Sequence, residues 1–200
     1  MAFTAVVAAG TMHPLDRDVS AAMTAAWREP LHAVFQGLAL FGGLEATTLV
    51  AALLGLWMWR RGFGVDSLAV LAFPVAVVLE LIYKRIVDHP GPPPNIAHSD
   101  GPSVSELLGQ GVAAGSFPSG HMVRTVVVYG LLAFVVARLA HRRWVGRLAV
   151  AAAVVLIAAE SFDRLYLNVH WESDVIGGLL LGGVVLAGAI IWLDRPWAST

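Results

Sequence analysis

The sequence predicts an all-α fold: an integral membrane helical bundle with five transmembrane helices and a short N-terminal helix, forming a single domain over residues 1–200. Three observations lead there. Hydrophobic residues make up 58% of the chain and charged ones 14%, with a mean hydropathy of +0.72, whereas a soluble domain is about half apolar and about a quarter charged. The apolar residues gather in runs close to the roughly 20 that a helix needs to cross a bilayer. Those runs are too long for strands. Composition also narrows function. A net charge of −1 leaves no basic footprint for nucleic acid. The absence of cysteine removes disulfides, thiolate nucleophiles and Cys-type metal sites.

Taken in order, Met1–Met12 is too short to span and reads as an interfacial segment or as the end of a longer helix. It lacks the basic start and the cleavage site of a signal peptide. From His13 to Pro30, Leu15, Val19, Ala22, Met23 and Ala26 recur at helical spacing among charged residues, which suits an amphipathic helix on the membrane surface or a solvated connector. Leu31–Trp59 is the first span, closed by Arg60-Arg61-Gly62, and Val65–Val87 is the second, with Glu80, Lys84 and Arg85 towards its far end. Asp88–Phe117 is a long Pro- and Gly-rich loop, of a length that is usually functional or disordered. Met122–Ala140 is the third span, Leu148–Phe162 (extending to Leu167) the fourth, and Val175–Leu193 the fifth. Arg60, Arg61, Arg138, Arg142, Arg143, Arg147 and Arg195 fall at ends that alternating topology puts on one side. The positive-inside bias makes that side cytoplasmic. The Pro-rich loop, the start of the third span and the stretch Asp163–Asp174 then share the outer face.

Three polar segments on one face are what a single site requires. In the last of them, His170 and Asp174 are four residues apart, so on a helix they share a face, and Arg164 lies close enough to hold an anion that the imidazole attacks. Ionisable groups beside membrane spans read as functional by default. We therefore read His170 as a phosphoryl-transfer nucleophile, Asp174 as its orienting acid and Arg164 as an anion clamp. The middle segment, Ser116-Phe117-Pro118-Ser119-Gly120-His121, opens a helix whose free N–H groups suit an anion, with His121 at that point as a general acid. Taken alone, Ser-Gly-His equally suits an interfacial histidine. Lys84, in the first segment, equally suits a snorkelling lysine.

Together the three segments resemble the type 2 phosphatidic acid phosphatase (lipid phosphate phosphatase) superfamily. Its pattern is Lys-x6-Arg-Pro, then Pro-Ser-Gly-His, then Ser-Arg-x5-His-x3-Asp. Pro118-Ser119-Gly120-His121 is complete, and Arg164, His170 and Asp174 keep the spacing of the third motif. Lys84 and Pro92 fit the ends of the first, and the resemblance runs over roughly Leu44–Leu193. It implies that His170 becomes a transient phosphohistidine, with Asp174 orienting its ring and His121 protonating the leaving group. It implies that Lys84, Arg164, the Ser119 hydroxyl and the backbone at Gly120 neutralise the phosphoryl oxygens, without metal or other cofactor. The implied substrate is a lipid phosphate or polyprenyl pyrophosphate at the outer face, among membrane lipids. Two positions depart: Gly91 stands where the family has Arg, and Asp163 where it has Ser. Arg124, three residues after His121, is expected to replace part of the missing guanidinium, or else to pair with Asp163 or Glu160 inside the bundle. The alternatives to a phosphatase are a phosphotransferase to an acceptor other than water and a non-catalytic lipid-phosphate-binding relative.

Overall fold

The computed structural model describes residues 2–98 and 115–195. Among these residues are eight α-helices and no strand. They are α1 (Ala2–Ala8), α2 (His13–Ala26), α3 (His32–Gly42), α4 (Leu44–Arg60), α5 (Ala72–Ile86), α6 (Gly120–Leu139), α7 (Arg143–Tyr166) and α8 (Glu172–Asp194). Short 3-10 helices at Glu29–Leu31 and Gly64–Leu71 lead into α3 and α5. Four segments are long and apolar enough to cross a membrane: Gly64–Ile86, α6, α7 and α8. The pair Glu29–Gly42 and Leu44–Arg60 makes a fifth if taken as one span. The part of the Asp88–Phe117 loop between residues 98 and 115 lies outside the described residues.

The straight first span expected over Leu31–Trp59 is instead broken, with a bend of 41° between its halves. The cause is the Gly42-Gly43 pair. Gly43 is extended (φ −60°, ψ 155°) and opens α4. At Gly42 a Cβ would come within 2.7 Å of Glu160 Oε2 and 2.9 Å of His121 Cδ2, so any larger residue would displace those two side chains. The break turns the Gly42 N–H onto Glu160 Oε1 at 3.1 Å. The first third of the second span is 3-10 rather than α. The fourth span begins at Arg143, five residues before Leu148, because Arg143, Trp144 and Arg147 continue the helix with heads that can reach an interface.

α6 is the buried centre and packs against α7, α8, α5, α4 and α3. Met122, Val123, Val127, Val128, Leu131 and Val135 are all buried along it. Apolar side chains of the surrounding helices, such as Leu49, Val78, Val155, Val184 and Ile191, face outward, as they do when lipid is the solvent. Small residues bring α8 against α6: a Cβ on Gly178 would lie 2.7 Å from the Ser119 carbonyl oxygen and 2.6 Å from Met122 Cβ. This closeness lets Ser119 N–H donate to the Asp174 carbonyl at 3.0 Å, tying the second motif to the third. The expected surface helix at His13–Pro30 is α2, ending at Ala26. Its buried residues are Asp16 and Ser20, and Leu15 is exposed. The polar face, not the apolar one, packs on the protein.

Candidate active site

His170 stands in the turn between α7 and α8, and Asp174 in the first turn of α8. Asp174 is fully buried and its Oδ2 accepts from the Trp171 backbone N–H at 3.0 Å. The same oxygen lies 3.2 Å from His170 Nδ1. An ionised carboxylate only accepts, so Nδ1 carries the proton and Nε2 keeps its lone pair. This is the tautomer of an imidazole nucleophile.

Behind this pair runs a polar chain that no sequence spacing reveals. Ser173 is buried, and its N–H and hydroxyl both donate to the buried Asp16 of α2, at 2.8 and 2.9 Å. Its one hydroxyl proton is thereby used, so His89 Nε2, 3.1 Å from Ser173 Oγ, must be the donor in that contact. The same nitrogen lies 3.5 Å from Asp174 Oδ1. His13 stacks on His89 with ring centroids 5.9 Å apart. Asn168, at φ 51° and buried, ends α7 in the left-handed region that Asn tolerates. It accepts from Ser20 at 2.7 Å and donates to Thr24 at 3.2 Å. The N-terminal helix is thus fastened to the His170 segment at several points. Asp16 and Ser20 carry no motif, and only the pairing across 157 residues exposes the role of Asp16.

The remaining predicted residues stand on α5, α6 and α7. Ser119, the N-cap of α6, is buried with a hydroxyl that has no hydrogen-bond partner among the described residues. His121 lies within electrostatic reach of Arg164, Arg124, His170 and Lys84. Each cation also faces an internal acid. Arg164 Nε donates to Asp163 Oδ2 at 2.8 Å and Nη2 donates to the same oxygen. The acid at the position of the family serine therefore answers the neighbouring arginine. Lys84 Nζ lies 3.0 Å from Glu80 Oε1, and Arg124 Nη1 lies 2.8 Å from Glu80 Oε2. Arg124 is thus paired inside the bundle, but with Glu80 rather than Asp163 or Glu160. Its Nε donates to the Gly42 carbonyl at 3.3 Å. The backbone at Gly120 is approached closely by the Glu80 carboxylate, within 2.6 Å of where a Cβ would sit. Lys84, 18% exposed at its side chain, is the most open of these cations.

Gly91 does not touch this cluster directly. With His13, Asp16, Arg17, His89 and Trp171 it lines a neighbouring cavity of about 240 Å³. Trp171 Nε1 donates to the Pro90 carbonyl at 2.8 Å, and the His98 N–H to the Leu167 carbonyl at 2.8 Å, so the first-motif loop is pinned to the third motif. His98 stacks on Trp27 with centroids 3.4 Å apart. Burial there, then the His32 imidazole, lowers its pKa below the ordinary histidine value, against the pull of Glu29. Among the described residues no group of three or more His, Cys, Asp or Glu side chains is arranged to hold a metal ion.

The sequence pattern of the PAP2 superfamily matches residues 67–198, which include all three motifs. The chain belongs to the PAP2 superfamily. It is 34% identical over 161 residues to "Putative undecaprenyl-diphosphatase YbjG" of Escherichia coli (strain K12), covering 78% of this chain and 72% of that protein. It is 30% identical over 133 residues to the undecaprenyl-diphosphatase of Sulfolobus acidocaldarius, covering 66% of this chain and 56% of that one. In fold it is similar to the crystal structure of a transmembrane PAP2 type phosphatidylglycerolphosphate phosphatase from Bacillus subtilis. That similarity has a TM-score of 0.81 at 21% identity, over 99% of this chain and 96% of the other. This PAP2 chain is accordingly a multi-pass membrane protein, with four apolar spans among the described residues, or five with the bent pair counted as one.

Proposed function

We propose that the protein is a metal-independent phosphatase that hydrolyses a lipid phosphate or polyprenyl diphosphate at the non-cytoplasmic face, through a phosphohistidine on His170. The observation that carries the reading is the His170 Nδ1–Asp174 Oδ2 contact at 3.2 Å, which leaves the Nε2 lone pair for attack. Nε2 attacks phosphorus, forming an N–P bond as the P–O bond to the leaving group breaks. His121 gives its proton to the departing oxygen. Water then attacks the phosphohistidine, His121 takes the water's proton, the N–P bond breaks, and inorganic phosphate leaves. Lys84, Arg164, the Ser119 hydroxyl and the N–H groups opening α6 hold the phosphoryl oxygens, whose charge is the main thing to stabilise in such transfer. Asp174 orients the ring and stabilises its charged form. An apolar cavity of about 280 Å³ beside Pro118, lined by Phe3, Tyr83, Phe117, Leu180 and Val184 among others, suits a lipid tail. The names of the relatives, two of them undecaprenyl-diphosphatases, support the same substrate class.

The test is phosphate release from a panel of lipid phosphates and diphosphates in detergent, with and without chelator, by wild type and His170→Ala. Chelator-resistant release that disappears in the variant is expected. Release that survives the substitution would remove His170 from the role of nucleophile. No release from any lipid would instead favour a non-catalytic lipid-phosphate-binding protein.

A further inference from the structure

Glu80 is a charged group in the site that the reaction above does not use. It is 4% exposed and lies one helical turn before Lys84 on α5. Its two oxygens are divided between two cations from different helices, Oε1 to Lys84 and Oε2 to Arg124. Its carboxylate also packs on Gly120, the first residue of α6, so tightly that no Cβ fits between them. A helix N-terminus attracts anions, and two cations beside it strengthen that field. This corner therefore has the chemistry of a phosphate site, with the protein's own carboxylate in it. Glu80 also lies within electrostatic reach of His170. Two further acids border the site: Asp163 is bonded to Arg164, and Glu160 accepts from the Gly42 N–H.

Resting on the phosphatase reading, we propose that Glu80 is an internal counter-anion with which substrate and product phosphate compete for Lys84 and Arg124. It does two opposed things. With no phosphate bound, it compensates two cations that would otherwise be costly to bury. With phosphate bound, its negative charge repels the ligand, which weakens the grip and speeds release of inorganic phosphate. The carboxylate thus sets how tightly phosphate binds, while His170 and His121 carry out the bond changes. A unit charge bordering a phosphate, at an effective dielectric of about 20 and with part of it screened, is worth on the order of tenfold in affinity.

The test measures orthophosphate binding to the full chain in detergent by calorimetry, alongside competitive inhibition of lipid phosphate hydrolysis by orthophosphate. Glu80→Gln, which keeps the shape and removes the charge, is expected to bind orthophosphate about tenfold more tightly and to turn over more slowly at saturating substrate. Because that variant strands Arg124, a second comparison sets Arg124→Gln against the double variant Glu80→Gln/Arg124→Gln. The double variant should bind orthophosphate about tenfold more tightly than Arg124→Gln alone. Equal or weaker binding in the second comparison shows Glu80 to be only a brace, and overturns the proposal even where Glu80→Gln does not fold. If the wild type hydrolyses no lipid but removal of the Glu80 charge still tightens orthophosphate binding, the phosphatase reading fails and the competition stands. If hydrolysis is normal and binding does not tighten, the competition alone fails.

Discussion

His170 and Lys84 stand on two sides of one site, and different forces hold them. Around His170 the contacts are directional hydrogen bonds: Trp171 N–H and His170 Nδ1 to Asp174, Ser173 to Asp16, and His89 between Ser173 and Asp174. Each fixes where a proton sits, and together they fix one tautomer. Around Lys84 the contacts are ion pairs: Lys84 and Arg124 to Glu80, and Arg164 to Asp163. These fix charge more than direction. On the proposed reading, the His170 side presents one lone pair, and the cationic side holds positive charge ready while its acids limit the excess. Damage to the first should appear in turnover, and damage to the second in how tightly phosphate is held.

The sharpest way to break the comparison is Asp174→Asn. The amide keeps the shape but cannot hold the tautomer, and we expect kcat to fall on the order of a thousandfold or more with little change in KM. A matching rise in KM would mean that Asp174 acts on substrate binding instead. Lys84→Ala should cost on the order of a hundredfold in kcat/KM, as loss of a charge-stabilising donor does elsewhere. Inhibition by orthophosphate should weaken with it, and unchanged inhibition would remove Lys84 from the phosphate cradle.

Asp16→Asn tests the chain behind the nucleophile. It removes the charged acceptor of Ser173, so His89 loses its fixed role as donor. We expect about a tenfold loss of kcat and a stability loss of roughly 1–3 kcal/mol. His89→Phe should reproduce the kcat loss, and if it does not, α2 serves only as a structural strap. The smallest effect is expected at Gly91. Among the described residues a Cβ there meets only Ser116, at 3.4 Å, so a side chain can leave the backbone at Gly91. Measured as KM for lipid phosphate at unchanged melting temperature, Gly91→Arg should lower KM a few-fold by restoring the guanidinium of the first motif. A raised KM would show that the neighbouring cavity is needed open.

What the sequence disclosed follows the same division. Five spans could be read because lipid-facing helices need long apolar runs, and the His170–Asp174 pair because its four-residue spacing is local. The bend at Gly42-Gly43 was hidden because its cause, crowding by Glu160 and His121, comes from residues far along the chain. The link from Asp16 through Ser173 to His89 was hidden for the same reason. The partner of Arg124 was expected to be Asp163 or Glu160, and only the packing of α5 on α6 selects Glu80. Asp163 departs from the family serine in the sequence, and the structure gives that acid its partner in Arg164. His170 stands in the turn just ahead of α8 rather than on the helix with Asp174, so nearness in the chain, not a shared helix face, discloses that pair, while partners on other helices need the fold.

The central claim is that His170 Nε2 takes the phosphoryl group. The most direct measurement is rapid quenching of the full-length protein in detergent during turnover of a phosphorus-labelled lipid phosphate or diphosphate, followed by peptide mapping under alkaline conditions. The account predicts acid-labile, base-stable label on the peptide carrying His170, absent in His170→Ala and formed no more slowly than turnover. Label on another residue, or turnover that continues in His170→Ala, would contradict it.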